Sequence, residues 1–272
     1  MSIFDAVLFD FDGTVRPTGE ERITRPVADA LNAVQAAGVK LAVATGRCRG
    51  ALPPKLLRGV KPDYFICANG AQVETRLGER LYADTMTPEE MYALVDWCEN
   101  DEYPLAFAFD DGYYVYVEAE RMQRFYAGVG GQTASMVFDG EDQDRHLQSM
   151  PFDAFSEITP QGVQGFQQKY GYLGLRFLPY NPTHYDVIPQ RVGKSIGLAA
   201  LLEKLGMDAA QVAAVGDGEN DVDLLAMAGC GVAMGNAPER VKALADAVCP
   251  HVDEDGVAAL CRTLFPEAFP NG

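Results

Sequence analysis

Short apolar segments alternate with stretches of helical periodicity along much of this chain, and few folds accept that order. Residues 6–9 form one apolar segment, residues 39–44 a largely apolar second and residues 212–215 a third. Segments of this kind are typical of strands buried on both faces of a parallel sheet. Apolar residues recur at helical spacing over residues 27–37 and 194–205. We therefore predict an α/β fold, with a Rossmann-like, doubly wound parallel sheet as its core.

Turn and cap residues sharpen the bounds of the predicted elements. Thr24 suits the start of the first helix and Gly38 its end, and Gly206 ends the helix over residues 194–205. The remaining predictions for this core are strands at residues 63–67 and 231–234, and helices through 224–227 and over 238–244.

The middle of the chain differs in composition from both ends. Residues 83–187 contain 19 of the 27 aromatic residues, and 18 acidic against 5 basic residues, which is −13 of the total net charge of −17. Two hairpins are expected there, one around residues 110–112 and one between strands at 172–178 and 183–188. We predict an inserted α+β domain over 83–187 and a discontinuous core over 1–82 and 188–272. A single domain with a long excursion is the alternative.

Composition excludes several classes of function. A net charge of −17 disfavours binding to nucleic acids or anionic membranes, because both need a basic surface. No apolar run reaches the roughly 18 residues that a membrane span needs, and the N-terminus lacks the basic start of a signal peptide. The six cysteines are scattered, so we expect reduced thiols and a cytoplasmic location. The three histidines are too widely separated to indicate a zinc site.

The strongest chemical signature is Asp-Phe-Asp-Gly-Thr at residues 10–14, directly after the first apolar segment. Two acids, Asp10 and Asp12, at a strand's carboxyl end can both face the crevice in which open α/β sheets bind ligands. One carboxylate can attack a phosphorus atom and form an acyl phosphate. The other can protonate the leaving group and then activate water, and the Thr14 hydroxyl can donate to a phosphate oxygen. A capped turn with two surface acids is the alternative.

Two further segments carry groups that could bind phosphate. Thr45, Gly46 and Arg47 follow the second predicted strand, where a hydroxyl and backbone N–H groups can form a phosphate cradle. Lys194 opens a predicted helix and can neutralise charge on a phosphoryl group. Taken alone, the first could be a strand-terminating turn and the second a solvated lysine. A P-loop is excluded, because its first glycine would fall on Ile188.

An acidic cluster follows the predicted strand at residues 212–215. Residues 216–221 read Gly-Asp-Gly-Glu-Asn-Asp, so three acids and one amide lie within five positions. Carboxylate and amide oxygens at a strand end suit a hard cation such as Mg²⁺. The alternative is an acidic, glycine-rich turn without a metal.

These four segments, in this order and each at a strand end or helix start, resemble the motifs of the haloacid dehalogenase-like (HAD) superfamily. Within it, the chain is most similar to the Cof-type phosphatases of subclass IIB. Residues 68–71 (Ala-Asn-Gly-Ala) and 228–234 also look like Cof-type segments. The resemblance covers the whole chain, though weakly in the middle, and it implies that residues 83–187 form the cap domain of this family.

The resemblance also implies a role for each matching residue. Asp10 would be the nucleophile and a Mg²⁺ ligand, and Asp12 the general acid and base, with its backbone carbonyl on the metal. Asp217 and Asp221 would complete and support the metal site. The residues implied to bind the phosphoryl group are Thr45, Gly46, Lys194 and Asn220.

The expected function is therefore that of a Mg²⁺-dependent phosphoric monoester hydrolase acting on a small phosphorylated metabolite, with a sugar phosphate as the first candidate. A phosphomutase of the same superfamily and a catalytically inactive phospho-ligand-binding regulator are the alternatives. Two departures from the family pattern bear on substrate fit. Ser195 stands where glycine is usual, and Arg16-Pro17 stands where apolar residues are commoner. The sequence leaves the oligomeric state open.

Overall fold

Eight strands, drawn from both ends of the chain, form the first sheet of the protein. The computed structural model describes residues 4–129, 133–140 and 144–270, so the first three residues of the predicted core lie outside the described part. We call this sheet the core sheet. Its strands are β1 (Ala6–Phe9), β2 (Lys40–Ala44), β3 (Tyr64–Cys67), β4 (Gln72–Thr75), β5 (Arg80–Ala83), β12 (Val212–Gly216), β13 (Cys230–Ala233) and β14 (Ala247–Val248).

The strand order of the core sheet is β14-β13-β12-β1-β2-β3-β4-β5. The six strands from β14 to β3 run parallel, whereas β4 and β5 are antiparallel additions at one edge. The order of strand addition reverses between β12 and β1: β2 and β3 are added on one side of β1, and β13 and β14 are added on the other side of β12. Such a reversal places a crevice at the carboxyl ends of β1 and β12.

Six more strands form a second sheet, and in the sequence they lie between the two halves of the core sheet. This cap sheet has the order β10-β11-β9-β6-β7-β8 and is antiparallel except for the pair β7 and β8. Its strands are β6 (Leu105–Ala108), β7 (Tyr113–Val117), β8 (Val137–Asp139), β9 (Asp153–Glu157), β10 (Leu175–Asn181) and β11 (His184–Pro189). All six lie within residues 105–189, and the assignment of 83–187 as a separate domain remains our interpretation.

Helices pack on both faces of the core sheet. The helices of the described chain are α1 (Arg25–Ala36), α2 (Pro88–Asp101), α3 (Ala119–Val129), α4 (Pro160–Tyr170), α5 (Lys194–Leu205), α6 (Val222–Met227), α7 (Glu239–Lys242) and α8 (Gly256–Leu264). One apolar cluster joins alternate residues of β1 and β2 to α1 and α8, and another joins the opposite face to α5 and α6. The predicted doubly wound α/β core is therefore confirmed.

Four elements named here, β4, β5, α7 and β10, differ from the prediction. Strands β4 and β5 were not predicted. Helix α7 ends at Lys242 rather than at residue 244. Strand β10 begins at Leu175, because residues 171–173 form a 3-10 turn that ends at Gly174 in the left-handed region, and it then continues through Pro179 to Asn181. Proline is tolerated there because β10 is an edge strand, with one side free of ladder hydrogen bonds.

No helix in the described ranges has both the length and the apolarity to cross a membrane. The six cysteines are all unpaired, and five of them are buried.

Candidate active site

The candidate site lies where three strands of the core sheet and one helix meet. Asp10 follows β1, Thr45 follows β2, Asp217 follows β12, and Lys194 is the first residue of α5. The first three strands are neighbours and parallel, so their carboxyl ends share one edge of the sheet. The pairing of β1 with β12 continues one residue past the end of β1, because the Asp10 amide donates to the Val215 carbonyl at 2.9 Å.

A buried ion-pair cluster forms the floor of the site. Lys194 Nζ donates to Asp10 Oδ1 and to Asp221 Oδ1, both at 2.6 Å, and all three residues are at most 6% exposed. Burial alone would lower the pKa of Lys194, but the two carboxylates outweigh it and hold the pKa above its ordinary value. The lysine is therefore charged at neutral pH and offsets part of the negative charge beside it.

Three carboxylates crowd this floor. One oxygen each of Asp10, Asp217 and Asp221 lies within 4.8 Å of the others. Burial, opposed by Lys194, raises the pKa of Asp10 well above its ordinary value, and burial together with Asp221 raises the pKa of Asp217 to about 7. One ammonium group cannot balance three such carboxylates. An oxygen donor set with excess negative charge is what a divalent hard cation binds, so these residues fit Mg²⁺.

The loops at the strand ends hold these carboxylates in place. Asp221 Oδ2 accepts hydrogen bonds from the backbone N–H groups of Asp217 and Gly218, at 3.0 and 2.9 Å. The Thr14 hydroxyl donates to Asp217 Oδ1 at 2.9 Å, so in this structure it contacts that carboxylate instead of the phosphate oxygen we expected. Asn236 Nδ2 donates to the Gly13 carbonyl at 2.8 Å and to Asp217 Oδ2 at 3.2 Å.

Asp12 is held by two arginines. Arg47 donates from Nε to Asp12 Oδ2 at 2.5 Å and from Nη2 to Oδ1 at 3.0 Å, and Arg16 donates from Nε to Oδ1 at 2.8 Å. Both guanidinium groups are almost fully buried. Burial alone would raise the pKa of Asp12, but Arg47 and Arg16 outweigh it and hold the pKa below its ordinary value. Asp12 is thus a carboxylate at neutral pH.

The same arginines connect the core to the cap. Arg16 Nη2 donates to the carbonyl of Val129, the last residue of α3, at 3.2 Å. Arg47 Nη1 donates to the Thr133 hydroxyl at 2.9 Å. Arg16 is one of the two departures from the family pattern, and the structure explains its presence, because its side chain contacts both Asp12 and the cap. The other departure, Ser195, donates from its hydroxyl to Asp223 Oδ2 at 2.8 Å.

A row of amides crosses the site from the core to the cap sheet. Asn220 Nδ2 donates to Asn69 Oδ1 at 2.8 Å, and Asn69 Nδ2 donates to Asp153 Oδ2 at 2.9 Å. Asn69 is buried and lies in the left-handed region, with φ at 52°. The Thr45 hydroxyl accepts from the backbone N–H of Arg47 at 3.1 Å.

A cavity of about 210 Å³ opens onto these residues. Its walls include the predicted site residues Asp10, Asp12, Thr45, Gly46, Asp217 and Asn220. Lys194 lies behind them in contact with Asp10, and Asp221 contacts Lys194. The structure thus brings all eight predicted site residues together in one place. The volume is below that of pockets for drug-sized ligands, which favours a small molecule.

Other residues of the site were not predicted. Arg16 and Arg47 were noticed only as parts of motifs, and Asn69 only as part of a family segment. Asn236 follows β13, so the strand-end rule that selected Asp10 and Asp217 could have selected it too. The cap residues Asp153 and Asp186 carried no motif that the sequence analysis could use.

Comparisons with known proteins agree with this geometry. The phosphatase YwpJ of Bacillus subtilis strain 168 is 24% identical over 290 residues, which cover 95% of this chain and 99% of that protein. The phosphoglycolate phosphatase of Methanopyrus kandleri is 37% identical over 113 residues, 42% of this chain and 49% of that protein. Among solved structures, the HAD subclass IIB sugar phosphatase BT4131 shares 26% identity, with a TM-score of 0.81 over 95% of this chain and 98% of that one.

A family model described as haloacid dehalogenase-like hydrolase matches residues 7–260. The match runs from β1 to α8, so it includes both halves of the core sheet and the cap sheet between them. It confirms the resemblance that the four motifs indicated. The chain belongs to the haloacid dehalogenase-like hydrolase family.

Proposed function

We propose that this phosphatase hydrolyses a small phosphoric monoester through a phosphorylated Asp10. The observation that carries the proposal is the contact of Lys194 with both Asp10 and Asp221 at the floor of a cavity, with Asp12 and Thr45 in its wall. The proposal is supported by the phosphatases among the relatives.

Asp10 is the attacking group. Its carboxylate lines the cavity, and Lys194 reduces the repulsion between this carboxylate and an incoming phosphate. The phosphoryl group is bound by the Thr45 hydroxyl, the backbone at Gly46, the Lys194 ammonium and the Asn220 amide. Most of the rate enhancement in phosphoryl transfer comes from such positioning and charge stabilisation.

Asp12 transfers the protons. Its ionised state suits the second step, in which a base must take a proton from the attacking water. In the first step it must first hold a proton, which Arg16 and Arg47 disfavour. We therefore propose that the substrate binds as its monoanion and that its proton passes through Asp12 to the leaving alcohol.

Asp10, Asp217 and Asp221 would hold Mg²⁺, together with the backbone carbonyl of Asp12. When bound, the ion supplies positive charge against the transferring phosphoryl group. The cap over residues 83–187 excludes water from the site and selects the substrate.

A sugar phosphate is the first candidate for the substrate. The small cavity supports it, as does the description of BT4131 as a sugar phosphatase.

The test is phosphate release from a panel of phosphate monoesters, with Mg²⁺ and with excess EDTA, and with Asp10→Asn in parallel. We expect turnover that is lost in EDTA, returns with added Mg²⁺ and is absent in Asp10→Asn. Full activity in excess EDTA would contradict the metal assignment. An isomerised sugar phosphate without free phosphate would indicate a mutase, and no turnover of any ester would indicate a binding protein.

A further inference from the structure

Two carboxylates of the cap sheet line the same cavity as Asp10 and have no part in the proposed catalytic steps. Asp186 on β11 pairs directly with Phe155 on β9, and Asp153 lies two residues from Phe155 on that strand. Side chains two positions apart on a strand point to the same face. Asp153 and Asp186 are therefore diagonal neighbours on the face that lines the cavity.

Neither carboxylate of this pair has a positively charged group of the described residues in direct contact. Asp153 is 4% exposed and accepts from the Asn69 amide, and no lysine or arginine in the described ranges forms an ion pair with Asp153 or Asp186. Lys194 instead contacts Asp10 and Asp221. Burial and the nearby Asp186 raise the pKa of Asp153 well above its ordinary value, and burial, opposed by the charge of Lys194, raises the pKa of Asp186 to about 6. Asp153 is buried and Asp186 is half-buried, and two neighbouring acids in such surroundings favour a shared proton or a cation.

A buried hydroxyl lines the cavity with these acids. Tyr126 on α3 is 5% exposed, its ring stacks on Tyr113 with centroids 4.8 Å apart, and both rings line the cavity. The Tyr126 hydroxyl makes no hydrogen bond to any residue that the structure describes. Because polar groups in such surroundings are normally hydrogen-bonded, this hydroxyl is available to a polar group that enters the cavity.

Aromatic rings form the wall next to the two acids. The Phe155 ring packs against Phe125, with centroids 4.9 Å apart, and against Tyr180, with centroids 5.8 Å apart. All three line the cavity. Ring faces attract cations through their quadrupole, most strongly where water is excluded. Carboxylates, a free hydroxyl and aromatic faces together favour a cation over an anion.

We infer that the leaving group of the substrate carries a positively charged nitrogen, which binds between Asp153 and Asp186 beside the Tyr126 hydroxyl. This inference rests on the proposed function, because it concerns the alcohol part of the same phosphoric monoester. A neutral sugar could donate hydrogen bonds to these groups, but it would not offset the negative charge of the acid that is ionised. The expected substrate class is therefore the phosphate ester of an amino alcohol or amino sugar.

Two matched substrate pairs test the inference at about pH 6.5, where the amines are protonated. The first pair is glucosamine 6-phosphate and glucose 6-phosphate, and the second is 2-aminoethyl phosphate and 2-hydroxyethyl phosphate. We expect kcat/KM to favour the amine by about 10- to 100-fold in at least one pair, the range of one charge-assisted hydrogen bond. Equal turnover within both pairs, or preference for the neutral ester, overturns the inference. No phosphate release from any ester, nitrophenyl phosphate included, counts instead against the proposed function.

Variants locate the preference within the cavity. Asp186→Asn should bring the amine-to-neutral ratio of kcat/KM close to one, and Tyr126→Phe should lower it by a smaller factor. Asp101→Asn is the matched control, because it removes one negative charge from an exposed position on α2 that does not line the cavity, and it should keep the ratio. The ratio is internal to each variant, so a partial loss of folded protein does not affect it. If Asp186→Asn does not fold, Asp153→Asn replaces it, and an unchanged ratio in the folded variant overturns the inference.

Discussion

Arg47 donates two hydrogen bonds to the carboxylate of Asp12, one to each oxygen. A bidentate contact of this kind fixes the orientation of a carboxylate as well as its charge. Arg47 follows β2, so a residue from a neighbouring strand end orients the proposed general base and lowers its pKa. Arg16 adds a second positive charge beside it.

Asp12→Asn keeps the size of the side chain and removes its ability to transfer a proton. We expect kcat on an alkyl phosphate to fall about 10²- to 10⁴-fold, the usual contribution of general acid–base catalysis. A nitrophenyl phosphate, whose leaving group needs no proton, should lose less in the first step and leave phosphorylated Asp10 to accumulate. Steady-state kinetics on both esters and the mass of the intact protein measure this. A near-wild-type kcat on the alkyl phosphate would remove Asp12 from the mechanism.

Arg16→Met removes one of the two charges that lower the pKa of Asp12. The pKa of Asp12 should rise, so the base becomes protonated at a higher pH than in the wild type. We therefore expect the acidic limb of the pH profile of kcat/KM to move up by about one unit. Arg16→Lys, which keeps the charge, should move it less. An acidic limb that stays in place in Arg16→Met would show that Asp12 does not set it.

Gly13 and Gly19 form a matched pair for testing the metal site. Both have φ above 80°, but a Cβ atom on Gly13 would lie 2.3 Å from Asp217 Oδ2, whereas one on Gly19 would meet nothing within 4 Å. Each change to alanine should cost about 1 kcal/mol of unfolding free energy, because of the left-handed backbone. Gly13→Ala should also displace Asp217.

The readout for this pair is the Mg²⁺ concentration that gives half-maximal phosphatase activity. It should rise at least tenfold in Gly13→Ala and stay at the wild-type value in Gly19→Ala. Similar metal dependence in the two variants would mean that the position of Asp217 does not matter for the ion.

The pair of Glu90 and Arg191 should make stability depend on pH. Arg191 Nη1 and Nη2 donate to the two oxygens of Glu90 at 2.6 and 2.9 Å, and the Thr87 amide also donates to it. Burial alone would raise the pKa of Glu90, but these contacts outweigh it and lower the pKa. The stabilisation is thus complete above the ordinary glutamate pKa of about 4.3 and is lost as the pH falls through the lower folded value.

Arg191→Ala should lower the free energy of unfolding at pH 7 by about 1 kcal/mol, near the low end of the usual range because Arg191 is partly exposed. The deficit relative to wild type should shrink as the pH falls below about 4. Urea unfolding at several pH values checks both statements. A deficit that stays constant down to pH 3 would assign the effect to packing rather than to the charge of Glu90.

The site residues that sequence reasoning found are those that follow a strand or open a helix. Asp10, Asp217 and Lys194 belong to this group, because the parallel order of strands places their positions at one edge. Asn69 also follows a strand, β3, but its contact with Asp153 could not be found in this way, since it joins residues 84 positions apart and depends on how the cap lies over the core. Pro179 misled the prediction of β10, because the sequence does not reveal which strand is at the edge of a sheet.

The row from Asn220 through Asn69 to Asp153 contains two amide groups and no group that changes charge near neutral pH between its ends. Asn69 accepts with its Oδ1 and donates with its Nδ2. A 180° rotation of its amide would therefore break both contacts of the row. The row therefore links the core to the cap through hydrogen bonds and does not relay charge. Under the proposed function it fixes the spacing between Asn220 at the phosphoryl site and Asp153 in the cap, so we expect kcat/KM to fall for esters whose chain is one carbon longer or shorter than the preferred one.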